Sequence, residues 1–330
     1  MKQCMRCISD ENFPGIEFDS DSICNFCRNH RTINESNYLK ERYENKFIDL
    51  LDTFKGKHIY DCVVAYSGGK DSTYLLSILK EKYDLNILAV RYDNWFQSEA
   101  AIKNIDKIVK HLNIDLITIK PQYETFKKIM KTVIEHDFYS IKNKQRASDI
   151  CTTCISLIRF QCFKIALEKE IPFIIFGMSP GQAPIVTSVV KTNSQMIQQM
   201  QEIIYRPLQE HIGDEIKPFF LEERHFQKDM FPYSINPLSF LDYNEPDIIK
   251  KIQLLGWVNP TDTDPNSTNC ILNALANHIH MKKYGFHAYC YELSELIREG
   301  KISREDALKK VSVNEDKHLI NVLYKKFGIS

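Results

Sequence analysis

Residues Asp61–Ser72 read DCVVAYSGGKDS. Asp61 to Tyr66 form an apolar run of strand length that ends at two glycines, and Thr73–Tyr83, TYLLSILKEKY, follows with helical periodicity. Strand, glycine-rich turn and helix in that order make a cradle for an anion. Gly68 and Gly69 let the backbone turn tightly and approach phosphate oxygens, while Ser67, Ser72 and the first free N–H groups of the helix donate at the positive end of its dipole. Lys70 adds a point charge, and Asp71 is a candidate to hold Mg2+ against the phosphates. The Walker spacing GxxxxGK(S/T) is absent, so cleavage between the β and γ phosphates is not indicated.

Downstream, LNILAVRYDN (85–94), a helical AAIKNIDKIVKHLN (100–113), IDLITIK (114–120) and PFIIFGMS (172–179) alternate strand with helix. The fold class expected is α/β, a doubly wound parallel sheet of Rossmann-like type. Ligands of such sheets lie beyond the carboxyl ends of the strands, where Tyr92, Asp93 and Gly177 fall.

SGGKDS after an apolar strand resembles the signature of the PP-loop ATP pyrophosphatases, also called adenine nucleotide α-hydrolases. The resemblance implies that the loop holds the β and γ phosphates of ATP as pyrophosphate, and that the substrate attacks the α phosphorus and becomes adenylated. It also implies that Asp93 contacts adenine or ribose and that Gly177 gives close access near the α phosphate. This chain departs from the family's frequent GHNxDD after the last of these strands and reads GMSPGQAP (177–184) instead.

At 330 residues, with 43% hydrophobic and 26% charged residues, the chain has length for about two domains. A disulfide-stapled miniprotein is excluded. The stretches CVVAYS and IPFIIFGM fall far short of roughly 20 apolar residues, and MKQCMRCISDENFP lacks a signal peptide's apolar core, so no membrane segment and a cytoplasmic location are expected. Lys+Arg and Asp+Glu both number 43. That balance favours a small-molecule acceptor (a nucleobase, nucleotide or sugar) over tRNA, although KNKQR (142–146) and FKKIMK (126–131) could form a local basic patch.

Ten cysteines in a reducing compartment point toward metal ligation. Cys4, Cys7, Cys24 and Cys27 make two CxxC pairs sixteen residues apart, the pattern of a tetrahedral Cys4 zinc site in a zinc ribbon whose folding free energy comes mostly from Zn2+. Cys151 and Cys154 form a third CxxC ahead of a helix expected from about Ile155 to Lys169, and Cys270 stands in DPNSTNCILNAL (264–275) near another helix start. A CxxC plus a distant cysteine cannot complete a Cys4 zinc site, but it can hold three irons of a [4Fe–4S] cluster and leave the fourth open. A redox pair, a persulfide site or packed thiols remain alternatives, and Cys162 could replace Cys270 as third ligand. Cys62 and Cys290 read as core, and His278, His280 and His287 as ordinary histidines.

The second cysteine set resembles the iron–sulfur tRNA thiolation enzymes of the PP-loop family, in which such a triad lies beside the adenylation site. CTTCISLIR (151–159) is similar to their CxxC-then-arginine stretch, which implies that Arg159 contacts phosphate. The N-terminal MKQCMRCISDENFPGIEFDSDSICNFCR, YDCVVAYSGGKDSTYLL and YGFHAYCYELSELIREGKISREDALKKV (284–311) resemble a second family, the bacterial N-acetyl sugar amidotransferases. Those adenylate an N-acetyl oxygen and insert ammonia from a glutaminase partner. Ammonia transfer has no need of soft ligands and sulfur transfer does. The expectation is therefore an ATP-dependent, adenylating sulfurtransferase with ATP, Mg2+, Zn2+ and a [4Fe–4S] cluster as cofactors and sulfide or another sulfur donor as co-substrate, amidation being the alternative. A nucleotide-sensing scaffold is a third reading, and a homodimer stays open. The expected organisation is a zinc ribbon at 1–32, a helical linker at 33–54, a PP-loop domain at 55–245, and a helical C-terminal region at 246–330 that folds back with Cys270 over the cleft.

Overall fold

The computed structural model describes residues 2–312 and 315–329; the outermost residues of the expected domains, Met1 and Ser330, lie outside them. The quartet segment is built from short bridges, Gln3 with Asp10 and Phe18 with Cys24, and the one-turn helix α1 (Asn25–Arg28). It leads into α2 (Ile33–Phe54), which starts at a capping box between Thr32 and Glu35.

The sheet follows. Strand β1 (Cys62–Ala65) is succeeded by α3 (Lys70–Glu81), β2 (Ile87–Tyr92), α4 (Glu99–His111) and β3 (Asp115–Ile119). Helices α5 (Tyr123–Glu135), α6 (Ile141–Arg146) and α7 (Asp149–Glu168) then lead back to β4 (Phe173–Phe176). The order is β3-β2-β1-β4-β6-β5, with β1, β2, β3, β4 and β6 parallel and β5 antiparallel at the edge. The direction of winding reverses between β1 and β4, which opens a crevice at their carboxyl ends. Val63 and Ile174 face one core, Val64 and Ile175 the other, so the strands are apolar on both sides.

Two strands were not expected from the sequence, β5 (Val189–Lys191) and β6 (Tyr233–Ile235), each of three residues. Between them run α8 (Ser194–Ile212) and the short α9 (Glu223–Phe226). The C-terminal helices are α10 (Glu245–Leu254), α11 (Leu272–Tyr284), α12 (Cys290–Arg298), α13 (Arg304–Val311) and α14 (Lys317–Phe327). They do not form a separate layer: α10 packs beside α3, and α11 and α14 join the core over α5 and α7.

Helix α7 corrects one expectation. It starts at Asp149, with the Ser148 hydroxyl accepting from the Cys151 N–H, so Cys151 and Cys154 lie within its first turns rather than ahead of it. It is also long and apolar enough to cross a bilayer, at a mean hydropathy of 1.5, but 61% of that stretch is buried inside the protein, where it serves as a core helix.

Candidate functional site

The crevice at the β1–β4 switch point holds the glycine loop. Gly68 has φ +76°, and a Cβ there would stand 2.4 Å from the Ala101 carbonyl oxygen, so only glycine fits. Gly177, just past β4, lies so close to Ser72 that a Cβ would meet its Cα at 2.9 Å. Helix α3 opens at Gly69 with no side-chain cap, which leaves first-turn N–H groups directed at the crevice; Lys70 N donates to Thr268 Oγ1 at 2.9 Å. An uncapped helix start behind a glycine turn fits a bound polyphosphate.

Lys70 is buried. Its Nζ donates to Tyr243 Oη at 2.7 Å and lies 3.2 Å from Asp71 and 3.6 Å from Glu245, while Tyr243 Oη donates to Asp71 Oδ1 at 2.8 Å. Burial works against the ammonium, but the carboxylates of Asp71 and Glu245 outweigh it and hold Lys70 above its ordinary value. Tyr243, Glu245 and Thr268 went unread in the sequence because each reaches the loop from more than 170 residues away.

A cleft of about 290 Å3 is lined by Ser67, Gly69, Lys70, Asp71, Ser72 and Gly177 together with Cys151, Cys154 and Cys270. Cys270 is fixed there by backbone pairing: Ser98 N donates to Asn269 O at 3.0 Å and Ile271 N to Phe96 O at 2.9 Å, so the segment runs beside the residues that follow β2. The Asn94 amide donates to Cys270 Sγ at 3.5 Å and the Asn273 amide to Cys151 Sγ at 3.6 Å. Burial pushes the Cys151 thiol up to about 11 and raises Cys154 and Cys270 as well. Thiols that accept amide hydrogen bonds in a sheltered cleft suit cationic iron, which would draw them to thiolates. Cys162 does not line the cleft; it is buried in the core and pushed up to about 12.

Glu292 of α12 lines the same cleft, accepting from Ser179 Oγ at 2.6 Å and Gln182 Nε2 at 2.9 Å. Burial raises its carboxyl, against those hydrogen bonds, and the charge of Asp71 adds to the rise. Asp93 is not part of the lining. Its carboxylate meets Lys120 at 3.0 Å and Arg91 at 3.4 Å and caps the turn at Trp95 N, while its neighbour Asn94 faces the cleft. Arg159 also stands apart from the loop, in an adjoining cavity, with its guanidinium 5.3 Å from the Phe176 ring.

The N-terminal quartet is a separate centre. Four ligand sulfurs at 2.3 Å from one tetrahedral ion stand about 3.8 Å apart. Here Cys4 and Cys27 lie 3.9 Å apart, Cys7 and Cys24 lie 3.7 Å apart, and all four are buried and free of disulfides. Hydrogen bonds from Cys24 and Cys27 drive the Cys7 thiol far down, as in a thiolate waiting on a cation. The geometry fits a zinc ribbon. Among the described residues this is the one group of cysteine, histidine or carboxylate ligands close enough for a single ion; the cleft trio is spaced more widely.

The fold and loop make a doubly wound α/β sheet with a glycine-turn anion cradle at its switch point. Residues 61–165 match the family model of the queuosine biosynthesis protein QueC, a PP-loop family, and residues 268–330 match that of the LPS biosynthesis protein WbpG-like C-terminal domain. The chain resembles the PP-loop ATP pyrophosphatase superfamily, and its WbpG-like part fits the sugar amidotransferases. The uncharacterized protein MJ1599 of Methanocaldococcus jannaschii is 25% identical over 253 residues, 76% of this chain and 72% of that one. Two solved structures share 15% and 14% identity: the U34-tRNA thiolase NcsA of Methanococcus maripaludis with its [4Fe–4S] cluster (96% of this chain, 90% of that one, TM-score 0.36) and the NMN synthetase of Francisella tularensis (91% and 98%, TM-score 0.39). Likenesses at those scores carry no argument about the transferred group.

Proposed function

We propose that this chain is an ATP-dependent sulfurtransferase. The observation that carries the reading is the meeting of three thiols, Cys151, Cys154 and Cys270, with the Ser67–Ser72 loop in one cleft. The acceptor is a small molecule with an amide-like carbonyl. Its oxygen attacks the α phosphorus, pyrophosphate leaves, and the oxygen becomes part of a good leaving group. Hydrosulfide then adds at the carbon and AMP departs with the oxygen, leaving a thiocarbonyl. Ser67, Gly68, Gly69, Lys70 and Ser72 hold the polyphosphate, Lys70 balances the charge on the leaving pyrophosphate, and Asp71 holds Mg2+. A [4Fe–4S] cluster on the three cysteines would supply a soft iron position for sulfide beside the activated carbon.

A second reading is favoured by the WbpG-like match at 268–330, which spans Cys270, Tyr289 and Glu292. It keeps the same adenylation and substitutes ammonia for sulfide, so that an N-acetyl group becomes an amidine. Anaerobically purified protein with ATP, acceptor candidates and either sulfide or ammonium separates the two. The sulfur reading expects AMP and pyrophosphate in equal amounts, turnover with sulfide alone, and loss of both product and iron in Cys151→Ser, Cys154→Ser and Cys270→Ser while zinc stays. Turnover with ammonium alone, or product formation undisturbed by those substitutions, transfers the assignment to amidation.

A further inference from the structure

A second cavity of about 380 Å3 adjoins the ATP cleft, and Arg146, Ile155, Met178 and Gln182 line both. Its remaining wall is apolar on one side, with Phe163 and Ile197 among its members, and no aspartate or glutamate lines it among the described residues. Two guanidinium groups, those of Arg146 and Arg159, do. The Arg146 guanidinium is engaged by Tyr291, with Nη2 3.4 Å from its hydroxyl. Arg159 differs: its Nε is buried without a partner, and it makes no hydrogen bond or ion pair to any described residue. Its contact with the Phe176 ring offsets only part of the lost hydration. Asn236, on the same cavity, leaves its buried Oδ1 unpartnered too, and an amide can present either its N–H or its oxygen to a ligand. Burial lowers the Arg159 guanidinium from its ordinary value, the direction that an anion beside it would reverse.

We propose that this second cavity is a binding annex for an anionic group, a carboxylate or a phosphate, carried by an apolar portion of the ligand and held by Arg159 with Asn236 and Arg146. The helix geometry connects it to the cleft. Cys151 and Cys154 face the ATP loop, while Thr152, Ser156 and Arg159, on an adjacent stripe of α7, face the annex. A ligand anchored by its acid in the annex would extend past Ile155 and Met178 toward the thiols. Taking that ligand to be the acceptor rests on the function proposed above; the anion site itself does not.

Isothermal titration of the full chain with hexanoate, hexyl phosphate and 1-hexanol, without ATP, tests the site. At least one of the two anions is expected to bind about tenfold or more tightly than hexanol, and the stronger of them identifies the group. Arg159→Gln should weaken that binding about tenfold or more, and Arg159→Lys, which keeps charge without the fork, should recover part of it. Lys70→Ala should leave the affinity unchanged. Should Arg159→Gln fail to fold by circular dichroism, Asn236→Ala and Arg146→Gln carry the same comparison. Hexanol binding as tightly as the anions, no binding by any probe, indifference to the annex substitutions, or loss of binding in Lys70→Ala would each overturn the proposal. Because no ATP is present, none of these outcomes bears on adenylation, and a failed turnover assay leaves the annex standing.

Discussion

The two cysteine sets differ in how their sulfurs are brought together. Cys4 to Cys27 span 23 positions and close on themselves, with sulfurs 3.7 and 3.9 Å apart and fully shielded. Cys151 and Cys154 come from the first turns of α7, Cys270 comes from a loop pinned beside β2, and the three are half-buried at the mouth of a cleft. A closed set can only hold an ion; a set assembled from distant elements, with one side open, can present something to a neighbouring site. The same residue type thus makes a closed knot in one place and an open edge beside a loop in the other.

The largest expected effect would break the closed set. Chelation, or Cys24→Ser, should remove zinc and with it on the order of 10 kcal/mol of ribbon folding free energy, read as loss of hydrogen-exchange protection in residues 1–32 and in α12. Retained protection after metal removal would erase the distinction between the two sets. A smaller effect separates both from the ATP loop. Lys70→Ala or Asp71→Asn should lower AMP and pyrophosphate formation about 10²–10³-fold while metal analysis finds zinc and iron unchanged.

Helix α11 ties the two regions together, since it starts beside Cys270 and leads to Phe286, whose ring lies 5.2 Å from Phe13 of the ribbon. Within it His280 is buried, contacts the rings of Tyr284 and Phe286, and is held down to about 4 by burial, with His287 and Lys144 adding to the shift. The folded state favours neutral imidazole, so this stability is complete above about pH 6.5 and is lost as pH falls from 6.5 toward 4. Between pH 7 and pH 5 the loss should be about 2 kcal/mol in urea unfolding, and His280→Phe should flatten it. The smallest change expected is Tyr243→Phe, which deletes the hydroxyl between Lys70 and Asp71. It should reduce kcat/KM for ATP about five- to tenfold, with the metal content of both cysteine sets intact.

What was legible in the sequence was what is local in it. The glycine loop occupies six residues and the quartet fewer than thirty, so spacing alone exposes them, and the strand–helix alternation that follows predicts the central sheet. Strands β5 and β6, with three residues each, are too short for any period to register. Tyr243, Glu292 and Asn273 are single polar residues whose meaning comes from contacts made across the fold. Arg159 shows what a local pattern leaves out. It follows Cys154 by five positions, about 140° further round the helix, so the guanidinium opens into the adjoining cavity while the thiol lines the cleft. Asp93 shows the same limit: at a strand end adjacent residues point different ways, and here Asn94 lines the cleft while the Asp93 carboxylate pairs with Lys120 and Arg91.

Arg304 donates to the carbonyls of Cys7 at 3.0 Å and Cys4 at 3.1 Å, and Ser294 Oγ meets Ser9 Oγ at 3.1 Å, so the ribbon clamps the helix that carries Glu292 into the cleft. Arg304 and Cys7 are 297 positions apart. At 5–20 residues per second, a ribosome needs roughly 15 to 60 s to cover that distance. For that interval a nascent chain can already bring its four N-terminal cysteines together and can complete its parallel sheet, yet it lacks one wall of the cleft. The ribbon is therefore a clasp made early and fastened late, and the cleft has its full wall only in chains whose synthesis has passed α13.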